Sequence, residues 1–201
     1  MEPAPRLYLA SASPRRRELL TQIGLPHTVL QVPAPAGEDE PILPGESGAD
    51  YVQRTAREKA ERGLDWLHAQ ALPALPLLAA DTTVLLEGCV LGKPATRAEA
   101  LQMLQALSGR RHEVRTAVVL GWQQRLHEAV SVTQVQMRAL SLAECERYCD
   151  SGEPFGKAGA YGIQGLAGSF IAHIEGSYSA VMGLPLFETA QLLRHAGIEL
   201  P

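Results

Sequence analysis

The chain has 201 residues, 46% hydrophobic and 20% charged, with a formal net charge of −4. That composition can bury a sizeable core and excludes a disordered chain. It also lacks the basic excess of a general nucleic-acid binder, so any phosphate recognition falls to a few local Arg and Lys residues.

The opening Met-Glu-Pro-Ala-Pro-Arg has no basic stretch followed by an apolar one, so no secretory leader is expected. No apolar run reaches the ~18 residues of a membrane span. Leu7–Ala10 reads as a buried first strand. Ser11-Ala12-Ser13-Pro14 then starts a helix, with Ser as N-cap and Pro at its first position. Leu19, Leu20 and Ile23 form the apolar stripe of that helix, and Gly24 ends it. Residues 31–48, rich in Pro, Gly and acid, read as a loop. A second helix is expected from about Ala49 to Arg62, with Val52, Ala56 and Ala60 facing inward. Residues 67–76 read as a connector.

Leu77–Ala80 begins a buried strand that runs through Asp81 to Leu86. Glu87-Gly88 turns it, and Cys89-Val90-Leu91 returns as a hairpin. Thr96-x-x-Glu99 and Ser141-x-x-Glu144 are capping boxes that open helices. Strands are expected at 112–120, 130–137 and 170–174, a Gly-dense segment at 156–168, and a last helix at about 186–195. Strands and helices mix throughout, so the class is α/β. The three cysteines, Cys89, Cys145 and Cys149, are too few and too odd for a disulfide framework. The six His are scattered and form no metal-binding pair of the HExxH kind.

Several features carry chemistry. The Ser11–Arg16 turn offers free N–H groups at a helix N-terminus, Ser hydroxyls and two guanidinium groups, a setting suited to an anion. An ordinary Ser/Pro cap with solvated Arg is the plain alternative. Asp81 interrupts the apolar run 77–84, and burying a carboxylate costs several kcal/mol unless it is paired, hydrogen-bonded or metal-bound. It is either a structural ion pair or a functional acid. The turn at 87–88 sets residues 82 and 93 nearly opposite each other, to within one residue, which makes Lys93 a near neighbour of Asp81. Lys59 points to the buried side of its helix, where it meets an acid or a phosphate, or snorkels to solvent. Glu40 and Glu46 share an acidic loop, and spacing alone selects neither. Residues 157–165 hold three Gly around Lys157 and Gln164, which permits close backbone approach to a ligand.

Taken in order, these segments resemble the Maf family of nucleotide pyrophosphatases. The stretches that carry the resemblance are Ser11–Arg16 with Glu18-Leu19-Leu20, Asp39-Glu40 with Glu46, and Ala56–Ala60. They continue through Ala80-Asp81-Thr82, Gly92-Lys93-Pro94, Leu107–Arg110, Lys157–Gly165, Ile174–Tyr178 and Gly183–Pro185. Gly156 departs from the pattern, since many relatives carry Asp there. The resemblance implies one domain over residues 1–201. Its fold would be inosine-triphosphatase-like: an elongated mixed sheet with flanking helices and a cleft between two lobes. It further implies a cytoplasmic homodimer that needs Mg²⁺ or Mn²⁺, with no nucleic-acid or membrane partner. The family's catalytic base falls on Asp81, its discriminating positions on Arg15, Thr82 and Gln164, and other cleft residues on Ser11, Glu40, Lys59 and Lys93. Glu40 and Asp81 are the expected metal ligands. The Gly-Ile-Gln-Gly form at 162–165 is similar to the branch that hydrolyses dTTP and UTP to the monophosphate and pyrophosphate, with modified pyrimidine triphosphates as further substrates. The rival expectation is a nucleotide-binding regulator of cell division that needs the pocket but not the base.

Overall fold

The computed structural model describes residues 4–35 and 40–200. Asp39 of the acidic motif lies outside the described residues. Seven strands form one mixed sheet: β1 (Leu7–Leu9), β2 (His27–Val29), β3 (Leu77–Leu86), β4 (Cys89–Leu91), β5 (Arg111–Trp122), β6 (Arg125–Met137) and β7 (Ile171–Glu175). Their order is β2-β1-β3-β5-β6-β7, with β4 paired to β3. β1 is parallel to both β2 and β3, while β3–β4 and β6–β7 are antiparallel. The helices are α1 (Pro14–Gln22), α2 (Gly48–Ala69), α3 (Arg97–Leu107), α4 (Leu142–Asp150), α5 (Tyr178–Met182) and α6 (Leu186–Leu193). The expected mixed α/β class with flanking helices is therefore present.

Local signals explain most boundaries. Ser13 is the N-cap of α1 with Pro at its start, but its hydroxyl makes no cap bond. The α4 capping box closes in both directions between Ser141 and Glu144. At α3 the box is displaced: Thr96 accepts from the Glu99 N–H, but the Glu99 carboxylate reaches the N–H of Ala95 at 2.8 Å. The β3–β4 ladder pairs Val84 with Leu91 and Leu86 with Cys89, the register the Glu87-Gly88 turn predicts. Lys93 lies two residues beyond that ladder.

Some elements differ from expectation. α2 runs seven residues past Arg62 to Ala69, because Gly63 serves packing rather than termination. A Cβ at Gly63 would come within 2.7 Å of the Leu77 side chain and 3.2 Å of Ala10 Cβ, so glycine lets the helix lie close to the strands. β5 and β6 extend further than their apolar alternation and meet at Gln123-Gln124. Both residues take positive φ (48° and 62°), the backbone of a tight hairpin turn. The short β2 and α5 carried no periodic signal.

The chain divides into two compact units. The first comprises Met1–Asp81, Thr116–Val130 and Gly183–Pro201, and the second Thr82–Arg115 and Ser131–Met182. The first unit's core joins Tyr8, Leu30, Val52, Ala56, Ala60, Leu77, Ala79, Ala117 and Val119. The second unit's core joins Val84, Leu104, Leu107, Val114, Val135, Met137, Cys145, Tyr148 and Ile163. The thiols of Cys145 and Cys149 are free and buried.

Candidate active site

Asp81 ends the first unit's share of β3, and its residue is only 5% exposed. The strand before it, Leu77–Ala80, is fully buried, so its position follows from the apolar run that the sheet requires. Both carboxylate oxygens are engaged. Oδ1 accepts from Lys59 Nζ at 2.6 Å, and Oδ2 accepts from Thr55 Oγ1 at 2.8 Å. Thr55 and Lys59 lie four residues apart on α2, one above the other on one face, which is how a single helix serves both oxygens. Lys59 also forms an ion pair with Glu40. Its ammonium thus bridges two acids rather than snorkelling to solvent.

Arg16, in the first turn of α1, completes this arrangement. Its Nε donates to the Gly183 carbonyl at 2.7 Å and its Nη1 to Ser11 Oγ at 3.0 Å. Ser11 Oγ also accepts from the Ser13 N–H at 3.2 Å, which stiffens the turn before the helix. Burial lowers the Arg16 pKa, and the charges of Asp81 and Glu40 pull it back upward. Burial likewise lowers the pKa of neighbouring Arg15, which is half-buried. For Asp81, burial alone would raise the pKa. The charges of Lys59 and Arg16, with hydrogen bonds from Lys59 and Thr55, more than reverse this and hold it below the ordinary carboxylate value. Asp81 is therefore an ionised, buried acid whose desolvation cost is offset by two cations.

The acidic loop also resolves. Glu46 does not join Asp81; it makes a two-point contact with Arg54, Nε–Oε1 at 2.6 Å and Nη2–Oε2 at 2.8 Å, and Arg54 further donates to the Pro41 carbonyl. Hydrogen bonding from Arg54 takes the Glu46 pKa to about 2. Glu46 thus braces the loop, and Glu40 is the acid that faces Lys59.

Thr82, Lys93 and Gln164 belong to the second unit. Thr82 is half-buried on β3, Lys93 is exposed between β4 and α3, and Gln164 is exposed within the Gly-rich segment. Lys157 donates to the backbone carbonyl of Glu153. Gly156 beside it has φ of 71°, the left-handed backbone glycine favours, so the lysine is anchored without a carboxylate at that position. Tyr161 is buried, with its hydroxyl 2.8 Å from His112 Nε2.

Of the residues that sequence reasoning singled out, Ser11, Arg15, Glu40, Lys59 and Asp81 lie in the first unit. That reasoning passed over Thr55 and gave Arg16 no role of its own. For Thr55 the signal was present, since it lies one turn before Lys59 on the same helical face. For Arg16 it was not, because two adjacent arginines look alike until the helix phase is known.

An acid held ionised beside Lys59 and Arg16, next to the N-terminal turn of a helix, is a setting for phosphorylated substrates. The Maf-like protein family matches residues 6–196, and the chain belongs to that family. A protein of Bordetella avium is 75% identical over 201 residues, covering 100% of both chains. One from Bordetella parapertussis is 74% identical over 197 residues, covering 98% of this chain and 95% of its own. One from Cupriavidus pinatubonensis is 56% identical over 194 residues, covering 94% and 96%. All three are called dTTP/UTP pyrophosphatase. Among solved structures, the Ham1 protein of Staphylococcus aureus is similar at a TM-score of 0.41 and 12% identity, covering 65% of this chain and 71% of its own.

Proposed function

We propose that this protein hydrolyses dTTP and UTP, and modified pyrimidine triphosphates, to the nucleoside monophosphate and pyrophosphate, as one Maf-like domain over residues 1–201. The full-length similarity to the Bordetella avium dTTP/UTP pyrophosphatase carries the reading. The ionised Asp81 beside Lys59 supports it chemically.

In this mechanism Asp81 orients a water and takes its proton as the water oxygen bonds to the α-phosphorus. The bond from that phosphorus to the bridging oxygen breaks, and pyrophosphate leaves. Lys59 exchanges a carboxylate contact for a phosphate oxygen. Arg15, Arg16, Ser11 and the N-terminal end of α1 receive phosphate charge. Lys93 adds a cation, and Thr82 and Gln164 discriminate the base. The Gln164 amide both donates and accepts, which suits a uracil or thymine edge.

A divalent cation fits the donor set. Glu40 and Asp81 both contact the single ammonium of Lys59, so two hard oxygen ligands surround one cationic position. Among the described residues no cluster of three or more His, Cys, Asp or Glu could hold a metal unaided. Two carboxylates, completed by phosphate oxygens and water, are a normal Mg²⁺ or Mn²⁺ set. Bound there, the cation supplies charge neutralisation for the phosphates.

Free thiols support a reducing, cytoplasmic setting. No helix among the described residues is long and apolar enough to cross a membrane. A homodimer with no nucleic-acid partner completes the reading. The test is pyrophosphate release from dTTP, UTP, ITP and 7-methyl-GTP, each with Mg²⁺ and with chelator. Fastest release from dTTP and UTP, abolished by chelator, is expected. Tight UTP binding without release would favour the regulatory alternative, and equal rates on ITP would remove the pyrimidine preference.

A further inference from the structure

The Gly-rich segment is held by a network that uses almost none of its own side chains. Tyr148, on α4, donates its hydroxyl to Glu153 Oε1 at 2.9 Å. The same hydroxyl accepts the Gly162 N–H at 3.2 Å. The other carboxylate oxygen, Glu153 Oε2, accepts the Leu166 N–H at 2.9 Å, and Oε1 receives a longer contact from the Ala167 N–H at 3.4 Å. Those two N–H groups open the short 3-10 turn Leu166–Phe170, so the acid occupies the place of a helix cap. Any Cβ at Gly165 would collide with the Glu153 carboxylate, so glycine is what admits the acid. The network grips residues 162 and 166–167 from one side. Between the two grips, Ile163 is buried in the core and Gln164 is exposed.

We propose that Tyr148 and Glu153 are positioning residues for substrate discrimination: a clamp on the backbone of residues 162–167 that fixes where the Gln164 amide stands. The inference rests on the reading of Gln164 as a base-discriminating residue, and it names what aims that amide. An amide tells one base edge from another only when its donor and acceptor ends are held in register, because a freely turning amide satisfies either edge. Gln164 is exposed, and its amide nitrogen would stand 3.4 Å from a Cβ at Gly162, beside backbone that the clamp holds, so the clamp sets where the amide stands. Burial and the neighbouring Glu153 raise the Tyr148 pKa, so the phenol keeps the proton it donates.

Tyr148→Phe is the main test. Tyr148 is 3% exposed and packs edge-on against Phe170 with ring centroids 5.3 Å apart, so the ring remains and only the hydroxyl is lost. Glu153→Gln is the second variant, and Gln164→Ala the reference. The kcat/KM ratio of UTP over ITP should fall about fivefold or more in both clamp variants, on the scale of one lost hydrogen bond. The loss should appear mainly in the KM for UTP. Amide hydrogen exchange should accelerate at Gly162 and Leu166 while α3 keeps its protection. A wild-type ratio in both clamp variants, alongside a collapsed ratio in Gln164→Ala, overturns the clamp alone. An unchanged ratio in Gln164→Ala overturns the role of Gln164, and the clamp's purpose with it.

Discussion

The cluster around Asp81 and the segment around Gln164 are built on opposite principles. Around Asp81 the side chains do the work: an acid, an ammonium and a guanidinium, each buried or half-buried, hold one another in place through charge. Around Gln164 the backbone does it: N–H groups of Gly162 and Leu166 are taken by Tyr148 and Glu153, and the Gln164 side chain is exposed. A charge cluster tolerates no missing member, because a lone buried ion costs several kcal/mol. A backbone clamp degrades by degrees, since each hydrogen bond carries about 1 kcal/mol. Reaction chemistry suits the first design and recognition of a base edge suits the second.

Asp81→Asn gives the largest expected effect. It keeps the shape and one acceptor oxygen but removes the charge, so turnover of UTP should fall on the order of 10²–10⁴-fold, the usual worth of a general base. KM should change far less than kcat. Near-normal kcat in a folded Asp81→Asn protein would remove Asp81 from that role, and the charge cluster would then be architecture.

The second region offers a pH test. His112 is 2% exposed, and burial lowers its pKa to about 4. An unfolded histidine titrates near 6.5, so between these values the unfolded chain binds more protons. Stability is full above 6.5 and is lost as pH falls towards 4, by roughly 3 kcal/mol from this one group. Urea unfolding at pH 7.5, 5.5 and 4.5 should show that slope, and His112→Gln should flatten it. Parallel curves for the two proteins would mean that another group carries the acid sensitivity.

Much of this is legible in the sequence, for reasons that differ by residue. Asp81 stood out because a carboxylate inside Leu77–Val84 violates an apolar pattern. The β3–β4 register followed from one two-residue turn. Spacing alone did not choose between Glu40 and Glu46, although the family resemblance named Glu40, because the choice depends on which cation each loop acid meets across many residues of chain. Arg54 and Lys59 are both on α2, and only the course of the loop decides that Glu46 takes the first and Glu40 the second. Tyr148 and Glu153 were invisible for a further reason: their partners are N–H groups, and every residue but proline offers one.

Arg16→Lys should have a smaller effect. Lysine keeps the charge near Asp81 but loses the fork that bonds both the Gly183 carbonyl and Ser11. About a tenfold fall in kcat/KM for UTP is expected, the scale of one charged hydrogen bond. An equal fall in Arg15→Lys would show that the two arginines share the task rather than divide it.

Gly63→Ala is the smallest and concerns only packing. In an α-helix interior the change from glycine to alanine is favourable by roughly 1 kcal/mol, through reduced backbone entropy in the unfolded chain. Against this, the new methyl would stand 2.7 Å from the Leu77 side chain and 3.2 Å from Ala10 Cβ. The Leu77 terminus can turn, but Leu77 is fully buried and the Ala10 Cβ is fixed to the backbone just past β1. Overpacking of this kind costs roughly 1–3 kcal/mol. The cost should outweigh the gain, leaving a net loss of about 1 kcal/mol in chemical denaturation, with kcat on UTP changed less than twofold. A gain in stability would mean that α2 can lift from the strands without disturbing Thr55 and Lys59. The grip of those two residues on Asp81 would then owe less to close helix–strand packing than to the charges themselves.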